Sequence, residues 1–445
     1  MLLNFIMENY RSFYDETVFS MCASRQKDIE YSVQKSIVAS KEYKSLCSAV
    51  IYGPNASGKT TIIGAMETLK AIILRGNINN SDDLVSPNHS SSSLELIPCY
   101  NMPEKPTKLG IKFIDNGIVF EYLLSIQLGK FLDNDYERKI VEESLFVNEK
   151  MVFARNENTI NVEIPKAIKG YFAEETIEES QTTIKLAKNS LVETELFLTN
   201  GFKSIYAKKL VSIFTDWIDN KFMVIYHCDA VKTIHRFTNP RSNAIYIERT
   251  LTDVAREFGV DSNALGYKTS EENTEPILCS LLENDKSKKG IVINAEMFES
   301  FGTIRFINEF PLVIKALLTG ATLVMDEFDA SIHPIALMNI IKIFHNDEIN
   351  INHAQLVFNT HNPIFLSADL FRRDEIKFVE RDERNLSVHY SLSDFKTNGE
   401  VSVRSGEDYL NNYFVNRYGA IKEVDFAPII EKIIEASRSK EGKNG

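Results

Sequence analysis

The sequence predicts an α/β fold with an antiparallel β subdomain and a helical insertion, and three observations carry that expectation. An apolar strand, Val50-Ile51-Tyr52, runs through a glycine-bounded loop into a helix from 58 to about 74. A second apolar strand, 321–325, ends on two adjacent carboxylates and is followed by a helix to about Phe344 and a third strand, 354–358. Between these halves lie segments that alternate as strands and others with apolar residues at three- and four-residue spacing.

The elements follow in chain order. Residues 2–12 and 47–52 read as strands, and a polar connector over 77–93, most biased at Ser90-Ser91-Ser92-Ser93, follows the first helix. Segments 109–114, 119–127, 140–147 and 150–154 alternate as an antiparallel sheet, with Asp115-Asn116-Gly117 as one turn. Residues 177–198 and 204–219 carry the helical spacing. No heptads are sustained, so no long coiled coil is expected. The chain divides as 1–165, a lobe with the glycine-rich loop and the β subdomain; 166–285, the helical insertion; and 286–445, a second lobe. Residues 437–445 read as a disordered tail.

The bulk numbers narrow the class. A chain of 445 residues is long enough for a large core and an inserted second unit. Its 44% apolar and 25% charged content is that of a soluble globular protein. The start has no basic n-region and meets Glu8 early, and no apolar run approaches the roughly 20 residues of a membrane helix. Cys22, Cys47, Cys99, Cys228 and Cys279 show no paired spacing, which argues against a disulfide framework or a zinc site and for a cytoplasmic setting. A net charge of −12 disfavours coating of nucleic acid; Lys286-Ser287-Lys288-Lys289 and Arg372-Arg373 are small basic exceptions, more often solvated faces.

The glycine-bounded loop is Gly53-Pro54-Asn55-Ala56-Ser57-Gly58-Lys59-Thr60-Thr61, a full G-x-x-x-x-G-K-T match. A nest of inward backbone N–H groups needs glycine at its tight points, and the following helix turns its positive end to the anion. The pattern assigns Lys59 to the β- and γ-phosphates of ATP and the Thr60 hydroxyl to Mg2+. Its position, after an apolar strand and before a helix, is the context that supports it.

Asp326-Glu327 completes a Walker B arrangement. Asp326 is expected to hold the metal through water and Glu327 to polarise the attacking water. The strand–helix–strand unit that follows should bring Asp326, Glu327 and His361 to one sheet edge, where open α/β folds bind ligands. His361 is therefore a candidate γ-phosphate sensor. Glu299-Ser300-Phe301-Gly302-Thr303 opens a helix, and on pattern alone Ser300 is an ordinary N-cap.

The order of these motifs resembles the ABC/SMC-clade AAA-type ATPases of abortive-infection and other anti-phage systems (the AbiL, RloA and PARIS-ATPase type), related to OLD ATPases. It extends to Asn9-Tyr10-Arg11-Ser12-Phe13, Leu370-Phe371-Arg372-Arg373-Asp374-Glu375-Ile376, Tyr390-Ser391-Leu392-Ser393-Asp394-Phe395 and Asn416-Arg417-Tyr418-Gly419-Ala420-Ile421. The resemblance implies an ABC/SMC-type P-loop ATPase head. In it Ser300, Gly302 and Thr303 form a signature motif that caps the γ-phosphate of a second subunit, Asp329 and Ser331 lie at the crossing loop, and Arg11 reaches the nucleotide. Glu299 and Phe301 depart from the transporter form of that motif. Gln127 is only a weak candidate for a glutamine loop.

The same resemblance implies a homodimer or larger homo-oligomer that switches a separately encoded effector, with no membrane partner. The alternative is an SMC-like ATPase acting directly on DNA, and a third reading is a scaffold that binds ATP with little turnover. No fused nuclease is evident. Arg384 and His389 have the R-x-x-x-x-H spacing of HEPN ribonucleases, but on a strand-like alternation over 385–392. His227 and His235 lack supporting metal ligands.

Overall fold

The computed structural model describes residues 1–26, 29–79, 96–99, 105–128, 138–173, 181–226, 241, 244–257, 264–269, 276–283, 290–330, 332–395, 403–404, 406–422 and 425–441. Ser331, His227, His235, the serine run at 90–93, the basic run at 286–289 and the last four residues lie outside them.

The chain opens with β1 (Leu2–Glu8), β2 (Thr17–Ser20), the pair β3 (Val33–Val38) and β4 (Lys41–Leu46), and β5 (Ser48–Tyr52), which feeds α1 (Lys59–Arg75). A meander follows: β6 (Thr107–Asp115), β7 (Ile118–Gln127), β8 (Lys139–Val147), β9 (Lys150–Asn156) and β10 (Thr159–Val162). Then come α2 (Gln181–Asn189), α3 (Lys208–Asp216), β11 (Phe222–Ile225), β12 (Ile245–Ile247), α4 (Arg249–Glu257), β13 (Ala264–Lys268), β14 (Ile277–Glu283) and β15 (Gly290–Asn294). The final part holds α5 (Phe301–Thr319), β16 (Thr322–Met325), α6 (Pro334–Phe344), β17 (Gln355–Asn359), β18 (Ile376–Arg381), β19 (Ser387–Ser391), α7 (Tyr409–Phe414) and α8 (Ala427–Glu441).

The expected α/β architecture with its antiparallel β subdomain is what these elements build. One sheet has the order β11-β16-β17-β5-β18-β19, parallel except for its last pair; the other is the antiparallel β10-β9-β8-β7-β6-β1-β2. Every residue of β5, β16 and β17 is buried, because helices or the second sheet cover both faces. Successive side chains face opposite ways. Ile51, Val324, Val357 and Val379 join the core shared with α1 and the antiparallel sheet, while Tyr52, Met325, Phe358 and Phe378 join the core under α5 and α6. Gln355 ties the two sheets together where β17 begins. Its Oε1 accepts from Leu2 N–H at 2.6 Å and Thr322 Oγ1 at 2.8 Å, and its Nε2 donates to Ser45 Oγ at 2.6 Å.

Three expectations change, the first being that α8 runs through 437–441, which read as part of a disordered tail. The first strand ends at Glu8 rather than at 12, because Asn9 and Arg11 take left-handed φ values of 49° and 50° and the chain turns back through Tyr10 and Phe13. The stretch 166–285 is mixed rather than helical. It carries β11, which pairs with β16 in the main sheet, and three strands of the separate sheet β12-β13-β14-β15. Its helical part is not a detached lobe either: Phe214 and Trp217 are fully buried, and Trp217 stacks on Phe113 with centroids 3.8 Å apart.

Candidate functional site

The loop between β5 and α1 is built around two glycines whose φ is positive, Gly53 at 155° and Gly58 at 118°. Neither tolerates a side chain. A Cβ on Gly53 would stand 2.1 Å from the Val379 carbonyl oxygen, and one on Gly58 would stand 2.6 Å from Ser387 Oγ. With Gly58 as N-cap, no side chain among the described residues closes the first turn of α1; the Thr61 N–H bonds Gly58 O at 3.1 Å, and the leading N–H groups are left for a ligand. The Ser57 hydroxyl is buried and meets no hydrogen-bond partner among the described residues. Lys59 folds back onto the loop, with Nζ donating to Gly53 O at 2.7 Å and Pro54 O at 3.0 Å.

The acid pair closes the opposite wall. Strand neighbours lie about 4.8 Å apart, so β17 sets the ends of β5 and β16 about two spacings from each other. Two hydroxyl and amide groups span that gap. Thr60 Oγ1 donates to Asp326 Oδ1 at 3.0 Å, and Asn359 Nδ2, from the end of β17, donates to the same oxygen. Asn359 Oδ1 also accepts the Glu327 N–H. Glu327 has a φ of 52°, a left-handed backbone that costs a residue with a side chain on the order of 1 kcal/mol or more. It is held there from both sides, since its carbonyl accepts from Arg305 Nη2 at 2.6 Å.

Arg305 comes from α5, the helix that Ser300 opens, and its Nε pairs with Glu309 Oε1 at 2.7 Å. Burial pushes the Glu309 carboxyl up to about 7, against the pull of Arg305. Burial likewise raises Asp329, which accepts from Thr360 Oγ1 at 2.6 Å. His361 follows Thr360. Burial and then the nearby Lys59 lower its pKa, against the pull of Glu327, Asp329 and Asp326, which favours the uncharged imidazole.

A cavity of about 470 Å³ lies between these walls, lined by the loop from Asn55 to Thr61 together with Glu327, His361 and Arg381. That volume falls in the range of small-ligand pockets, roughly 300–1,000 Å³. Its lining is polar and holds anion donors on one side and a carboxylate on the other.

The family model described as "AAA domain, putative AbiEii toxin, Type IV TA system" matches residues 48–367, from the first residue of β5 to just past His361. The chain belongs to this family. No curated protein matches it. Among solved structures it is similar to the SMC head domain from Thermotoga maritima, at 13% identity and a TM-score of 0.36, over 88% of this chain and 98% of that one.

In this AAA chain the residues singled out from sequence separate into two groups. Asn55 to Thr61, Glu327 and His361 line one cavity; Gly53 and Pro54 shape its loop; and Asp326 is joined to Thr60 behind it. The others lie elsewhere. Arg11 donates to the Tyr226 hydroxyl at 3.4 Å, and Tyr226 packs over Gly64 in the second turn of α1. Ser300 caps α5, accepting from Thr303 N–H at 3.2 Å and bonding Thr303 Oγ1 at 2.9 Å, with Gly302 half-buried between them. Gln127 closes β7 and is not a cavity residue. His389 lies on β19, and burial takes it down to about 3, which leaves it no role as a base near neutral pH.

Three residues of the AAA site were not foreseen: Arg305, Asn359 and Arg381. Asn359 carries a sequence signal, since it opens the Asn359-Thr360-His361-Asn362 run that also holds the candidate sensor His361.

The buried Lys59 gives a first prediction. Burial takes its ammonium down to about 8, although Glu327, Asp326 and Asp329 oppose the shift. A bound triphosphate favours the protonated form, so binding takes up a proton above that pKa. ATP affinity should be level below pH 8 and about tenfold weaker at pH 9, since one pH unit above the pKa leaves about a tenth of the lysine charged. Calorimetric Kd values at pH 7 and 9 check this, and equal values would contradict it.

Proposed function

We propose that this chain binds and hydrolyses ATP with Mg2+ in a composite site between two copies, as the sensor or switch subunit of an anti-phage system that controls a separate effector. The observation that carries the catalytic part is the Thr60–Asp326–Asn359–Glu327 network, which joins the phosphate loop to the acid pair across an intervening strand. The cavity also fits the substrate. Among the described residues the Ser57 hydroxyl has no partner and no side chain caps the first turn of α1, and Lys59 is a cation resting on two carbonyls that it can exchange for phosphate oxygens.

Among the described residues no three His, Cys, Asp or Glu side chains cluster as a metal cage. Thr60 and Asp326 would instead hold Mg2+ together with phosphate oxygens and water, as that ion prefers. Bound there, it would neutralise charge on the phosphates. The protein's own groups do the rest. The loop amides and Lys59 orient the triphosphate, Glu327 takes a proton from the water that attacks the γ-phosphorus as the bond to ADP breaks, and His361 donates a hydrogen bond to a phosphate oxygen.

Ser300, Gly302 and Thr303 serve the site of the second copy in this reading. They lie outside the cavity of their own chain, and Ser300, Met297, Phe298 and Phe301 are exposed around them. Arg11 is assigned to the nucleotide with them, and would have to leave Tyr226 to reach it. The family description, which names a toxin of a toxin–antitoxin system, supports a regulated toxic response as the setting. Among the described residues no helix is long and apolar enough to cross a membrane.

Light scattering on Glu327→Gln tests the composite site. Its mass should double when ATP and Mg2+ are added, and Ser300→Arg added to it should keep it at the apo mass. A monomer in both states would end the two-copy reading while leaving the P-loop site intact.

A further inference from the structure

We propose that Arg381 is a further phosphate-binding residue of this site, one that distinguishes ATP from ADP by contacting the terminal phosphate. The inference rests on the reading of the cavity as an ATP site and adds a residue that no motif contains. Arg381 is the last residue of β18, which runs parallel to β5 with Phe378 level with Tyr52, so it stands beyond the strand end at the mouth of the loop. Its side chain lines the cavity together with Glu327 and His361.

The β18–β19 hairpin grips the loop backbone from outside. The Val379 carbonyl fills the space beside Gly53, Arg381 Nε donates to Ala56 O at 3.0 Å, and Ser387 Oγ donates to Ser57 O. Ser387 is buried within a fixed network, whereas Arg381 is half-buried and faces the cavity. Its only acceptors among the described residues are two neutral carbonyls, Ala56 O and Asn385 O, the latter at 2.8 Å. Two donors of five are therefore engaged, and none of them by a carboxylate. A guanidinium so placed gains a charge-assisted, two-pronged bond when a phosphate arrives.

The terminal phosphate is the partner that chemistry selects. Sandwiching a base against the arginine face needs a flat group opposite, and the one ring in the cavity lining, His361, follows β17, on the far side of β5 from β18. The inner phosphates are served by the loop amides and the first turn of α1. The outermost group carries the most charge and would face Glu327 and His361, and Arg381 lines the same cavity from the β18 side of the loop.

The experiment measures Kd for ATP and for ADP, both with Mg2+, in the Glu327→Gln protein and in the same protein with Arg381→Gln or Arg381→Lys. Arg381→Gln keeps an N–H for Ala56 O but removes the charge, and thermal melts confirm that each variant is folded. ATP should bind about tenfold or more weakly in Arg381→Gln, as expected for loss of a hydrogen bond to a charged group. ADP should stay within about twofold of the parent, and Arg381→Lys should recover part of the ATP affinity. Equal loss for both nucleotides would make Arg381 a brace for the loop and overturn the proposal, as would no loss for either. Absence of ATP binding in the Arg381-containing protein would instead overturn the reading of the cavity itself.

Discussion

Glu327→Gln should bind ATP as the parent does and turn it over about 10²- to 10⁴-fold more slowly, the usual effect of losing a general base. The substitution is nearly isosteric, and the contacts that hold residue 327 in place use its backbone: the N–H to Asn359 and the carbonyl from Arg305. The φ of 52° is therefore retained, and only the proton-accepting oxygen is lost. Removing a negative charge from the cavity also relieves repulsion with the triphosphate, so affinity should hold or rise. Single-turnover phosphate release, measured beside Kd, separates the two effects. A rate within threefold of the parent would remove Glu327 from the chemistry and leave the family assignment untouched.

The parts of this site that were legible in sequence share one property: their partners are close in the chain or set by a strand end. Gly53 to Thr61 follows a buried strand and opens a helix, so the local pattern alone dictates the nest. Asp326 and His361 lie at the ends of two strands joined by one helix, and such strands pair in parallel, as β16 and β17 do. Ser300 was legible as an N-cap, and it is one.

The residues that escaped notice act over distance. Arg305 reaches Glu327 across 22 positions, Asn359 reaches Asp326 across 33, and Arg381 reaches Ala56 across 325. No periodicity encodes those contacts. The stretch 166–285 was misjudged for a related reason. Phe222-Met223-Val224-Ile225 follows a helical run without a glycine or proline break, and four apolar residues do not show whether they extend a helix or enter a sheet. Only pairing with β16 decides it.

Asn359→Leu should lower turnover by at least about tenfold and destabilise the fold by roughly 1–3 kcal/mol, the cost of stranding buried polar partners. Asn359 is fully buried and does two things that no hydrocarbon can. Its amide N–H₂ fixes the Asp326 oxygen that Thr60 also meets, and its carbonyl takes the Glu327 N–H. Without the second bond, Glu327 is left with an unpaired amide and only Arg305 to hold a left-handed backbone, which would relax and carry the carboxylate away from the cavity. Asn359→Asp separates this account from a simple packing defect. The introduced carboxyl has the right shape but, when ionised, faces Asp326 with like charge, which raises its pKa. In its protonated form it can donate to Asp326 and still accept from Glu327. Its turnover should therefore recover as pH falls from about 8 to 6, while Asn359→Leu shows no such rise relative to the parent. Parallel pH profiles for the two variants would show that Asn359 merely fills space, whereas divergent ones would mark it as the residue that positions both acids.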